Sequence, residues 1–68
     1  MKNKIEEIRK ERGIRQEEFA KLMGVSRQTI NAIEKGEYNP TIRLCRTICR
    51  ALGKSLDELF WEDESDEN

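Results

Sequence analysis

At 68 residues, with 35% apolar and 40% charged side chains, one Pro and four Gly, the chain has room for a single domain with a small core built from short amphipathic helices. It holds no run near the roughly 20 apolar residues that cross a bilayer, and "MKNKIEEIRK" lacks an apolar signal-peptide core, so a cytoplasmic protein away from membranes is expected. The net charge of -1 hides two blocks: residues 1–55 carry all 13 Lys and Arg against seven Glu, a net +6, while residues 56–68 carry seven Asp and Glu and no base, a net -7.

In "KNKIEEIRKERG" Ile5 and Ile8 are spaced i,i+3 and Gly13 is a C-terminal stop, so the spacing predicts a first helix over 3–12. Phe19, Ala20 and Met23 share one face of a second helix, with Glu17 and Glu18 in its first turn, where the dipole favours acids. Gly24 ends it. Ser26 then caps a third helix in which Ile30 and Ile33 point inward, broken by "EKGEYNP" after Glu34 or Lys35. Thr41 caps a fourth helix on which Ile42, Cys45, Ile48, Cys49 and Leu52 recur at helical spacing, and Gly53 closes it. Ser55 with Glu58 forms a capping box for a last short helix, "LDELF". Residues 62–68, with five acids, read as a disordered tail behind a domain over 1–61. The predicted fold class is all-α, with five short helices.

Cys45 and Cys49 are the only cysteines, and the chain has no His. A bond between i and i+4 on one helix closes a tiny loop and constrains almost nothing, and a metal site would lack ligands. Small buried hydrophobes are the plainer reading; a redox role or a bond between subunits is the other. Neither thiol has a base to activate it, and no glycine loop cradles a phosphate. Neither an enzyme nor a cofactor is therefore expected.

Only "GVS" joins the second and third helices, which forces a sharp corner with glycine in left-handed angles. Ala20 lies where the two helices approach most closely, and Met23, Val25, Ile30 and Ile33 fill the inside of the corner. On the other side stand polar residues. Arg9 and Glu34 are opposite charges beside the apolar stripes of two helices that should meet. Burying either alone is expensive, so a structural Arg9–Glu34 salt bridge is expected.

Gln16, Ala20, Gly24, Val25, Ser26, Ile30, Ile33, Glu34, Gly36, Asn39 and Pro40 together resemble the Cro/cI-type (XRE) helix-turn-helix family, over roughly residues 3–60. One departure is Arg15, where that family has Thr or Ser as N-cap of the second helix; losing a cap costs about 1 kcal/mol. The resemblance implies a lambda-repressor-like fold and a third helix lying in the major groove of double-stranded DNA. It places Arg27, Gln28 and Asn31 at base edges, where Arg pairs with guanine O6 and N7 and Gln or Asn with adenine N6 and N7. Gln16, Thr29, Lys35, Tyr38, Asn39 and Arg43 follow as contacts to the DNA backbone, with Gln16 also a buttress for the recognition helix. The blander readings stand beside these: a solvated helix face for the first three, loop packing for Tyr38, solubility for Lys35.

One such domain makes few contacts, and the family places two-fold dimers on half-sites about 34 Å apart. Leu44, Leu56, Leu59, Phe60 and Trp61 are the expected dimer interface, since the first four helices already furnish a core; closure of that core in a monomer is the alternative. The resulting expectation is a homodimeric, sequence-specific regulator, a repressor of a pseudo-palindromic operator. The alternative is an antitoxin-type interaction module whose acidic tail binds a protein partner.

Overall fold

Capping side chains set where most of the helices begin. In the computed structural model, which describes residues 2–61 and Trp61 by its backbone alone, the elements in chain order are β1 (Lys2–Asn3), α1 (Ile5–Glu11), α2 (Gln16–Met23), α3 (Arg27–Glu34), α4 (Ile42–Leu52), α5 (Leu56–Leu59) and β2 (Phe60–Trp61). Ser26 Oγ accepts the Thr29 N–H at 3.1 Å, and Thr41 Oγ1 accepts that of Leu44 at 3.1 Å. At α5 the bonding is reciprocal: Ser55 Oγ accepts from Glu58 N–H at 3.2 Å and Glu58 Oε1 from Ser55 N–H at 2.8 Å. That backbone bond holds the Glu58 carboxyl below its usual value.

Arg15 precedes α2 with a guanidinium that only donates, so half of a capping box survives there: Glu18 Oε1 accepts the Arg15 N–H at 3.4 Å. Gly24 ends α2 at φ 76° and Gly53 ends α4 at φ 67°, left-handed angles that favour glycine. The Ser26→Ala variant is expected to lose about 1 kcal/mol, read as a lower urea midpoint at unchanged slope.

Each helix contributes to one core. Ile5 and Ile8, Phe19 and Ala20, Ile30 and Ile33, then Cys45, Ile48 and Leu52, and finally Leu59 and Phe60 are buried, with Ile14, Met23, Val25, Leu44 and Cys49 packed against them. No helix among the described residues is long and apolar enough to cross a membrane.

The two ends of the domain depart from the sequence expectation. The first helix starts at Ile5 rather than residue 3, because Lys2 and Asn3 pair antiparallel with Trp61 and Phe60. Phe60 correspondingly leaves the fifth helix, with φ -123° and ψ 142°. The Lys4 N–H continues the closure by donating to Leu59 O at 3.0 Å. Asn3 fastens this clasp to the bundle: its Oδ1 accepts from Ile5 N–H at 3.2 Å and its Nδ2 donates to Ile33 O at 2.8 Å. The acidic segment 62–68 lies outside the described residues.

Candidate nucleic-acid interface

The corner between α2 and α3 rests on a close helix contact. Ala20 is buried in it, the Val25 N–H donates to Ala20 O at 3.0 Å, and Ile30 and Ile33 hold the inner side of α3 in the core. Helical periodicity then turns Arg27, Gln28 and Asn31 to the other side. Arg27 and Gln28 are exposed there, and Asn31, one turn further on, is half-buried.

Beneath these three side chains runs a continuous set of polar contacts. Arg9 donates from Nε to Glu34 Oε2 at 2.7 Å, from Nη2 to Glu34 Oε1 at 3.3 Å, and from Nη1 to Ile14 O at 2.7 Å. The side chains of the pair are only 6% and 3% exposed. Gln16 Nε2 reaches Glu34 Oε1 at 3.0 Å and Asn31 Oδ1 at 3.2 Å, while its Oε1 accepts from Arg27 Nη1 at 3.4 Å. No buried polar side-chain atom among the described residues lacks a partner, which matters because an unmatched one costs about 1–3 kcal/mol. Both amide hydrogens of Gln16 are thus engaged within the protein. Gln16 stands as the buttress of α3, with no hydrogen left for a phosphate while both bonds last.

Of the other residues expected at the DNA backbone, Thr29 is half-buried, its hydroxyl 2.9 Å from that of Ser26. Lys35, Tyr38, Asn39 and Arg43 are exposed along the α3–α4 connection and the first turn of α4. Two backbone bonds, Gly36 N–H to Ile33 O at 3.0 Å and Glu37 N–H to Ala32 O at 2.9 Å, fold that connection back on α3. Arg27 and Lys35 therefore stand at the two ends of α3, and Arg43 follows in the first turn of α4.

The residues expected at a dimer surface separate. Leu59 and Phe60, at 0% and 7% exposure, are committed to the core of their own chain, because α5 is short and the β1–β2 pairing draws Phe60 inward. Leu44 is packed against the core, and at about 100° per residue it lies on the opposite flank of α4 from Ile42 and Cys49. The Trp61 side chain lies outside the described residues. Leu56, 45% exposed, remains, and it gains Ile42, at 63%. Helical spacing predicts a place for Ile42 on the core stripe, but in the first turn of α4 it projects beyond the bundle. The two line an apolar groove of about 360 Å³ with Cys45, Arg46, Cys49 and Arg50. Both cysteines are free, and burial pushes both thiols up, with Cys49 adding to the effect on Cys45.

Comparison with known proteins agrees with the fold. Residues 5–59 match the Helix-turn-helix family model. The chain is 44% identical over 64 residues to the uncharacterized HTH-type transcriptional regulator YgzD of Bacillus subtilis, covering 94% of this chain and 97% of that protein. It is 49% identical over 65 residues to an uncharacterized HTH-type transcriptional regulator of Methanothermobacter thermautotrophicus, covering 94% of each. Among solved structures it is similar to the restriction-modification controller protein C.AhdI of Aeromonas hydrophila, with a TM-score of 0.74 at 30% identity over 84% of this chain and 83% of that one.

Proposed function

Because the chain belongs to the helix-turn-helix family of DNA-binding transcriptional regulators, we propose that it reads double-stranded DNA sequence-specifically with α3 in the major groove, as a cytoplasmic homodimer repressing from a pseudo-palindromic operator. The observation that carries the reading is the outward cluster of Arg27, Gln28 and Asn31 above a buried ion pair that fixes the angle of α3. Arg27 and Gln28 contact bases; Lys35, Tyr38, Asn39 and Arg43 hold phosphates. The exposed Ile42 and Leu56 support a second copy of the chain on the α4–α5 face.

Selection of bound sequences from random duplexes tests it. One palindromic motif should be enriched, and Arg27→Ala or Gln28→Ala should relax preference at a single position in each half-site, by about 1–3 kcal/mol. Lys35→Ala should instead weaken binding evenly across sequences and reduce the salt slope by about one. Absence of any enriched motif would overturn the proposal.

A further inference from the structure

Asn31 sits where amide polarity decides which base is read, since Asn pairs bidentately with adenine only by offering an acceptor and a donor along one edge. We infer that the buried Arg9–Glu34 pair, acting through Gln16, holds Asn31 with Nδ2 toward the DNA, making it a donor best matched by the two acceptors of guanine, N7 and O6, and denying it the two-bond contact to adenine N6 and N7. The inference rests on the reading that α3 lies in the major groove.

Amide orientation is ordinarily ambiguous, but here groups of a single polarity bound it on both sides. Glu34, ion-paired with Arg9 at 2.7 Å, only accepts. The Gln16 atom 3.0 Å from Glu34 Oε1 must therefore be the nitrogen, because an oxygen there would set acceptor against acceptor. Arg27 only donates, so the Gln16 atom 3.4 Å from its Nη1 must be the oxygen. The two contacts demand the same orientation of one amide.

The Gln16 nitrogen also lies 3.2 Å from the Asn31 side-chain amide, and a nitrogen facing it would oppose donor to donor. Oδ1 of Asn31 thus points to α2. Its Nδ2 has no acceptor among the described residues and is not buried, which leaves two hydrogens for a ligand. Turning Oδ1 to adenine N6 would break the bond to Gln16 and strand one of its hydrogens in a half-buried site. Arg27 presents donors as well, so among the three outward residues Gln28 alone carries an uncommitted acceptor, and an adenine preference falls to Gln28.

Two measurements decide this. In the free protein, the Gln16 side-chain NH2 should exchange slowly with solvent and the Asn31 NH2 fast; protected Asn31 hydrogens beside freely exchanging Gln16 hydrogens would overturn the polarity whether or not DNA binds. In selections from random duplexes, the position whose preference disappears in Asn31→Ala should carry G in the parent protein, favoured over A by about tenfold. Gln16→Ala, which frees the amide to turn, should admit A at that position. An adenine preference in the parent overturns the inference, as does a motif unchanged by Asn31→Ala. If no duplex is enriched at all, the groove reading has failed and the base-reading half of the inference fails with it, while the exchange result still decides the polarity on its own.

Discussion

Replacing Glu34 by alanine is expected to destabilise the domain by about 3–5 kcal/mol, a large share of the roughly 3–10 kcal/mol that a chain of this size commands. The substitution leaves the Arg9 guanidinium, whose side chain is 6% exposed, with Ile14 O as its one remaining partner. Its charge is then buried without a counter-ion. Arg9→Ala should be nearly as severe, because it strands the Glu34 carboxylate with only the Gln16 amide to answer it. Attraction alone does not produce this cost; desolvation of the surviving charge does. A double replacement, Arg9→Met with Glu34→Met, should therefore recover much of the loss, since it leaves neither charge behind. Urea unfolding of the four proteins makes a complete cycle. A loss below about 1 kcal/mol in both single variants would place the pair among solvated surface bridges and remove the premise that it anchors α3.

Much of this domain was legible in the sequence where local chemistry acts alone. Gly24, Ser26, Thr41, Gly53 and the Ser55–Glu58 box set boundaries that the structure reproduces, because a cap or a left-handed stop is determined within a few residues. The charges of Arg9 and Glu34 stood out because they interrupt apolar stripes. The β1–β2 clasp was not legible. Two residues per strand carry no periodicity, and what selects the pairing is the meeting of the chain ends over a core already formed. Missing the clasp led to the misplacement of Phe60, read as surplus apolar surface when it closes the core. Leu44 and Ile42 were exchanged for a related reason: helical spacing identifies a stripe, but which of its edges the rest of the bundle covers is set by packing between helices. The Gln16 contacts depend on the distance between two helices, which no single helix encodes.

Leu56→Asp is expected to convert the protein to a monomer and to weaken operator binding by about 10²–10⁴-fold, the factor gained when the second half-site is reached from a tethered partner. Leu56 begins α5 and is 45% exposed. An acid in that first turn suits the helix dipole, so the fold should survive and circular dichroism should be unchanged. Between two copies, however, the carboxylate would lie against Ile42 and Cys49 in a groove that must lose its water for the dimer to form, and a short side chain has little reach toward Arg46 or Arg50. Sedimentation across a concentration range reads the assembly, and titration of a full operator against a single half-site reads the consequence. The half-site affinity should stay level, because Leu56 lies on the α4–α5 groove and not among the α3 contacts. Equal losses on both duplexes would instead implicate the α2–α3 corner itself. An unaltered dimer in Leu56→Asp would remove the α4–α5 groove as the contact between copies, and with it the assignment of Ile42 and Leu56 to that surface.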